Sequence, residues 1–195
     1  MTPSWFIALG GVVVLVVLAV VILFVLPSRL MPGDPNSGVH LGQISSVTDT
    51  QVRHLEVVER FTGMVTQHVL TAAHLACRSS GRPLADVVGQ LCRALFGNPL
   101  GVDDIAVLAL LDSVPDRDTR AATLQAHAAA IRQLADTLGG RQQWDFTLLP
   151  GQPYDENRHS PWLDSRPGLP ITAVVTPAYI VDEHILCRQR VTTGW

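Results

Sequence analysis

Lysine is absent from this 195-residue chain, and all 14 of its basic residues are arginine. The formal net charge is −3 at pH 7, and the arginines form no basic cluster. Nucleic-acid binding depends on a dense array of positive side chains opposite the phosphates. This composition therefore argues against nucleic acid as the main partner.

Cysteine is scarce, and motifs for metal binding or catalysis are missing. The three cysteines, Cys77, Cys92 and Cys187, are widely spaced, with no CxxC or Cys/His metal spacing. Free, buried thiols in a reducing compartment are the expected state. No GxSxG, HExxH, phosphate-binding loop or Rossmann fingerprint occurs. We predict a protein that is not an enzyme and that uses no metal or cofactor.

Isolated ionisable residues give no stronger indication of catalysis. Three histidines lie on the first predicted helix: His54, His68 and His74. Their spacings of 14 and 6 do not give the i, i+4 face that a metal requires, so surface or capping roles are expected. A hydrolase built from His159, Ser160 and Asp164 would need near-adjacent side chains to point at one another. An enzyme is therefore the least favoured function.

One long apolar run extends from Trp5 to Leu26, with 22 residues and no charged, amide or hydroxyl side chain. As a helix it would extend about 33 Å, which matches the hydrocarbon thickness of a bilayer. A cleaved signal peptide is the alternative, but its basic start, short apolar stretch and small-x-small site are missing. Arginine follows the run and none precedes it. The charge bias predicts a single-pass protein of the cell membrane with its soluble domain in the cytoplasm.

The patterns along the chain predict an α+β protein in four parts. Residues 1–27 form a single N-terminal transmembrane helix, and residues 28–47, rich in Pro, Gly and Ser, form a flexible tether. Residues 48–140 carry apolar stripes at helical spacing and form a coiled-coil or bundle region. Residues 141–195 contain short β-branched runs separated by Pro, Gly and Asp, and form a small C-terminal antiparallel β module.

The first helix of the helical region carries a narrow apolar seam. Its positions follow 3,4 spacing and include Leu55, Val58, Val65, Val69 and Ala72. Such a seam requires a partner helix. The partner is either a second copy of the chain, which would make a homodimer, or the next helix of the same chain. The spacing favours neither.

Three further helices have recognisable ends. Pro83 opens a helix that stops at Gly97, a second covers about 102–111, and a third begins after Pro115 and ends before Gly139. Their apolar stripes indicate core packing rather than a cofactor site.

Two segments near the C-terminus carry the most specific pattern in the chain. The first contains Gly151, Pro153, Tyr154, Asp155 and His159, and the second contains Tyr179, Ile185, Leu186 and Val191. In order and spacing they resemble the G-x-P-F-D-P-x-x-H segment and the following hairpin of GrpE, the nucleotide exchange factor of DnaK-type chaperones. Ala178 replaces the usual glycine before the tyrosine, and the turn at 182–184 lacks its glycine. The resemblance covers less than a third of the chain.

The resemblance implies a homodimeric, membrane-anchored co-chaperone that promotes ADP release from a DnaK-type chaperone by holding its cleft open. No covalent bond would be made or broken. On this chain the contact surface would be the hairpin, with Tyr179, Arg188 and Arg190 as partner-binding residues. The alternative is a bitopic structural or assembly protein whose soluble domain binds other membrane components.

Overall fold

The computed structural model describes residues 49–149, 151–163 and 165–194. Its first element is a helical rod made of α1 (Asp49–Met64), one π-helical turn (Val65–Val69) and α2 (Leu70–Ser80). Gly81 ends the rod with φ +69°, and its N–H donates to the carbonyl of Cys77 at 2.8 Å. A left-handed residue is a common helix terminator, and glycine adopts it without steric cost.

Three more helices follow at the places that their end signals predict. Helix α3 (Leu84–Phe96) begins after Pro83, α4 spans Asp104–Leu110, and α5 spans Arg117–Thr137. The Asp103 carboxylate accepts the Ala106 N–H at 3.0 Å, which pairs a backbone donor that the first turn of α4 would leave unsatisfied.

Among the described residues, six short strands form two three-stranded sheets. In the first sheet, β1 (Gln142–Asp145), β4 (Ala178–Val181) and β5 (His184–Cys187) run antiparallel in the order β1-β4-β5. The second sheet has the order β2-β6-β3. Its strands are β2 (His159–Pro161), β3 (Ile171–Thr176) and β6 (Gln189–Thr193).

The predicted antiparallel β module contains one parallel pair of strands. Strand β3 pairs with β6 antiparallel, but β2 pairs with β6 parallel. Strands β3, β4 and β5 lie between β2 and β6 in the sequence. Strands β2 and β6 are therefore not the two arms of a hairpin, and they run in the same direction. Hairpin spacing in the sequence does not reveal such a distant pair.

Helices and strands share one hydrophobic core. The main buried cluster joins Phe61 of α1 and Leu91 of α3 to Val175 of β3 and Tyr179 of β4. A smaller cluster, Ile171, Val174 and Val191, lies within the second sheet. The change at residue 140 from helix to strand is therefore not a boundary between two cores.

The predicted seam residues pack largely inside the chain itself. Val65, Val69 and Ala72 are buried, Val58 is partly buried against the same core, and Leu55 is half exposed. The π-helical turn packs against α3 and α5, and α2 packs against α3. The three buried residues are therefore covered by helices of the same chain.

The predicted fold class requires a correction. Within the part of the chain that the structure describes, no helix is both long enough and apolar enough to cross a membrane. The longest single helix there, α5, carries Arg117, Arg120 and Arg132, and such charged side chains are costly in a bilayer core. The predicted transmembrane helix (1–27) and tether (28–47) lie outside the described residues. The fold class is α+β with two small sheets.

Candidate functional site at the β2–β6 pair

The motif segment folds into a turn held by His159. The imidazole is buried, and its Nδ1 accepts the backbone N–H of Asp155 at 2.9 Å. The Tyr154 hydroxyl donates to the carbonyl of His159 at 3.1 Å, while Gly151 takes a positive φ of 72° at the start of the turn and Pro153 is exposed. Burial lowers the pKa of His159. This histidine is therefore a structural member of the turn, and the turn fixes where β2 begins.

The parallel register of β2 and β6 brings three arginines close together in the fold. His159 lies opposite Gln189 and Ser160 opposite Arg190, and the Gln189 N–H donates to the carbonyl of Arg158 at 3.0 Å. Arg158 directly precedes β2, Arg188 directly precedes β6, and Arg190 is the second residue of β6. All three are exposed. We call these three residues the arginine face.

A buried amide anchors the strand that carries this face. The side-chain N–H₂ of Gln189 donates to the carbonyls of Asp145 at 2.9 Å and Thr147 at 3.2 Å, which ties β6 to the end of β1. The arginines on either side of Gln189 therefore project from a fixed backbone. Binding residues on rigid elements lose less conformational entropy than residues on loops.

The positive charge of the arginine face is almost uncompensated. Arg158 Nη2 lies 3.9 Å from Asp145 Oδ2, and no other carboxylate among the described residues lies within 4 Å of any of the three guanidinium groups. Burial raises the pKa of Cys187, and the charge of Arg190 opposes that rise. A concentrated positive patch on a chain of net charge −3 favours an acidic partner surface.

The structure separates the three residues predicted to bind a partner. Arg188 and Arg190 lie on the arginine face, whereas Tyr179 is fully buried, with its hydroxyl 2.7 Å from His54 Nδ1. His54, expected at the surface, is equally buried. Sequence reasoning missed Arg158, although it directly precedes the motif histidine. Its closeness to Arg188 depends on the parallel pairing of β2 and β6, in which the next residues along, His159 and Gln189, are partners.

The other histidines of the rod are nearer the surface than His54. His74 is exposed, and the partly buried His68 stacks on His127 of α5 with ring centroids 4.4 Å apart. Among the described residues no group of three or more His, Cys, Asp or Glu side chains could hold a metal ion.

The cysteines differ in environment, and this predicts an order of reactivity. Burial raises the pKa of Cys92 to about 12, so at pH 8 only about one thiol in ten thousand is the reactive thiolate. Cys77 and Cys187 are partly exposed. With excess alkylating reagent at pH 8, mass spectrometry should find Cys77 modified first and Cys92 modified only after unfolding. Equal rates at Cys77 and Cys92 would contradict the buried position of Cys92.

No protein-family model, curated protein or solved structure matches this chain.

Proposed function

We propose that this domain acts by binding an acidic surface of a protein partner through the arginine face. The parallel β2–β6 register supports this most directly, because the exposed Arg158 and Arg188 directly precede its paired residues His159 and Gln189, and the exposed Arg190 follows in β6. Arginine is enriched among the residues that contribute most to binding energy. Its planar fork also pairs with carboxylates in a bidentate manner.

The partner we propose is a DnaK-type chaperone, as the resemblance to GrpE suggests. Binding would promote ADP release without any chemistry on the part of this chain. A protein that binds the open nucleotide cleft more tightly than the closed cleft shifts the population towards the open form by that difference in affinity. The buried position of Tyr179 leaves the arginines, and not the tyrosine, as the residues that would make this contact.

The test is the release of fluorescent ADP from the DnaK-type chaperone of the same organism, with and without the full chain. We expect the native protein to accelerate release. The double variant Arg188→Glu with Arg190→Glu should need a concentration about tenfold higher or more for the same acceleration, because like charges would then face the acidic partner. Both substitutions are at exposed sites, so the free energy of unfolding should change by about 0.5 kcal/mol or less.

The matched control is Arg78→Glu, which reverses an exposed arginine on α2, outside the arginine face. It should act like the native protein. Raising the salt concentration should weaken the native protein more than the double variant, since the proposed contact is electrostatic. Unchanged acceleration by the double variant would refute the role of the arginine face. Binding without any acceleration would refute nucleotide exchange and favour an assembly function.

A further inference from the structure

A cleft lies away from the arginine face, between the loop after α3 and strand β1. Its volume is about 410 Å³. Phe96, Leu100 and Trp144 form its apolar side, and Asp136 and Arg132 of α5 line its polar side. Pockets that combine aromatic walls with a few fixed polar groups are typical ligand sites.

A chain of hydrogen bonds runs from the core to the Asp136 carboxylate. His54 Nε2 donates to the carbonyl of Gly139 at 2.8 Å, and His54 Nδ1 lies 2.7 Å from the Tyr179 hydroxyl. That hydroxyl donates to Gln142 Oε1 at 3.1 Å, and Gln142 Nε2 donates to Asp136 Oδ1 at 2.6 Å. Asp136 is exposed, and Gln142, which donates to it, is partly buried. Here the core sets the orientation of the carboxylate, which is the preorganisation that binding sites require.

The Asp136 carboxylate makes no ion pair among the described residues. No cationic side chain there lies within 4 Å of it, and no hydrogen bond reaches its second oxygen, Oδ2. Burial lowers the pKa of Arg132, and the charge of Asp136 opposes that shift. Arg132, one helical turn away, donates instead to the carbonyls of Leu95 at 3.2 Å and Asn98 at 2.6 Å. Arg132 therefore holds the loop that forms one wall of the cleft and leaves the carboxylate open to a ligand.

Trp144 adds a rigid aromatic surface beside this carboxylate. Its ring lies 4.8 Å from Phe61, 4.6 Å from Phe96 and 4.4 Å from Tyr179, as centroid distances. The indole is mostly buried but lines the cleft, together with Leu100, which is 94% exposed. Planar cations bind favourably over an indole face, and a carboxylate accepts two parallel hydrogen bonds from a guanidinium group.

We propose that this cleft binds a guanidinium group, with its N–H donors on Asp136 and its plane against Trp144. The group belongs either to an arginine side chain of a polypeptide or to a free arginine-like small molecule. This proposal is independent of the arginine face, since the two sites share no residue.

Calorimetric titration of the full chain tests the proposal with three probes: the amidated tripeptide acetyl-Gly-Arg-Gly, the same peptide with citrulline, and free arginine. Citrulline keeps the shape of arginine and removes its charge, so its peptide should bind about tenfold more weakly or worse. Tighter binding of the tripeptide than of free arginine would assign the ligand to a polypeptide. The reverse order would assign it to a small molecule.

Asp136→Asn should weaken binding of the preferred arginine probe about tenfold, while Asp118→Asn, at the other end of the same helix, should leave it unchanged. Tyr179→Phe interrupts the chain of hydrogen bonds without changing a residue that lines the cleft. It should also weaken binding of the arginine probe, but by less than Asp136→Asn does. Equal affinity for the arginine and citrulline peptides, or native affinity in Asp136→Asn, would overturn the proposal.

Discussion

Replacement of Tyr179 by alanine is expected to lower the free energy of unfolding by about 3–5 kcal/mol, in the range of large-to-small aromatic substitutions in cores. The side chain is fully buried and packs on Trp144 with ring centroids 4.4 Å apart. Alanine would leave a cavity where helix α1 meets the first sheet. It would also remove the hydroxyl that joins His54 to Gln142.

Tyr179→Phe separates the hydrogen bonds from the packing. The ring remains, but His54 Nδ1 and Gln142 Oε1 lose their shared partner inside the protein. An unsatisfied buried polar group costs about 1–3 kcal/mol, so this variant should lie between the native protein and the alanine variant. Urea denaturation at pH 7, followed by far-UV circular dichroism, measures both differences.

The matched control is Tyr154→Phe, at the only other tyrosine of the chain. The Tyr154 side chain is partly exposed, and its hydroxyl donates to the carbonyl of His159. Water replaces that partner more easily, so the expected cost is about 1 kcal/mol or less. If Tyr179→Phe were as stable as the native protein, the buried chain of hydrogen bonds would not contribute to stability.

The helices could be predicted because their ends are encoded locally. Pro83 and Gly97 bracket α3, and Pro115 and Gly139 bracket α5, which agrees with the observed bounds to within two residues. Backbone restrictions at proline and glycine act at the residue itself, so they are visible in the sequence. The short β-branched runs likewise mark β3 and β4.

What could not be predicted depends on contacts between distant residues. An apolar stripe tells which side of a helix is buried, but not what covers it, so the seam along the rod was equally compatible with a second chain and with the next helix of the same chain. His54 meets Tyr179 across 125 positions, and nothing near either residue indicates the other. A surface or capping role was expected for His54, and its buried contact with Tyr179 could not be predicted for this reason.

The candidate site was predicted in part. Arg188 and Arg190 followed from the resemblance to the GrpE hairpin, and their exposure fits a binding role. Tyr179 was placed with them because it belongs to the same hairpin, yet strand alternation and the pairing with β1 direct it into the core. Arg158 joins the two arginines only through a parallel pair that spans 30 positions.

Gly89→Val is expected to destabilise the domain by about 1–3 kcal/mol, because α3 approaches β3 most closely at this glycine. A Cβ atom at position 89 would lie 3.0 Å from the carbonyl oxygen of Val174 and 3.6 Å from the Cα of Val175. Both are backbone atoms, which cannot rotate away as a side chain would. Helix α3 would have to move off the strand, which would disturb the packing of Leu91 and Leu95, both fully buried on the same helix.

Gly63→Ala on α1 also replaces a glycine within a helix, but this substitution is expected to stabilise the protein. A Cβ atom there would meet nothing within 4 Å. Alanine in a helix is favoured over glycine by about 0.5–1 kcal/mol, so this variant should be more stable than the native protein in the same urea titration. Helix propensity alone would raise stability at both positions. A lower free energy of unfolding for Gly89→Val together with a higher one for Gly63→Ala would therefore show the close packing of α3 on β3. A higher free energy of unfolding for both variants would contradict it.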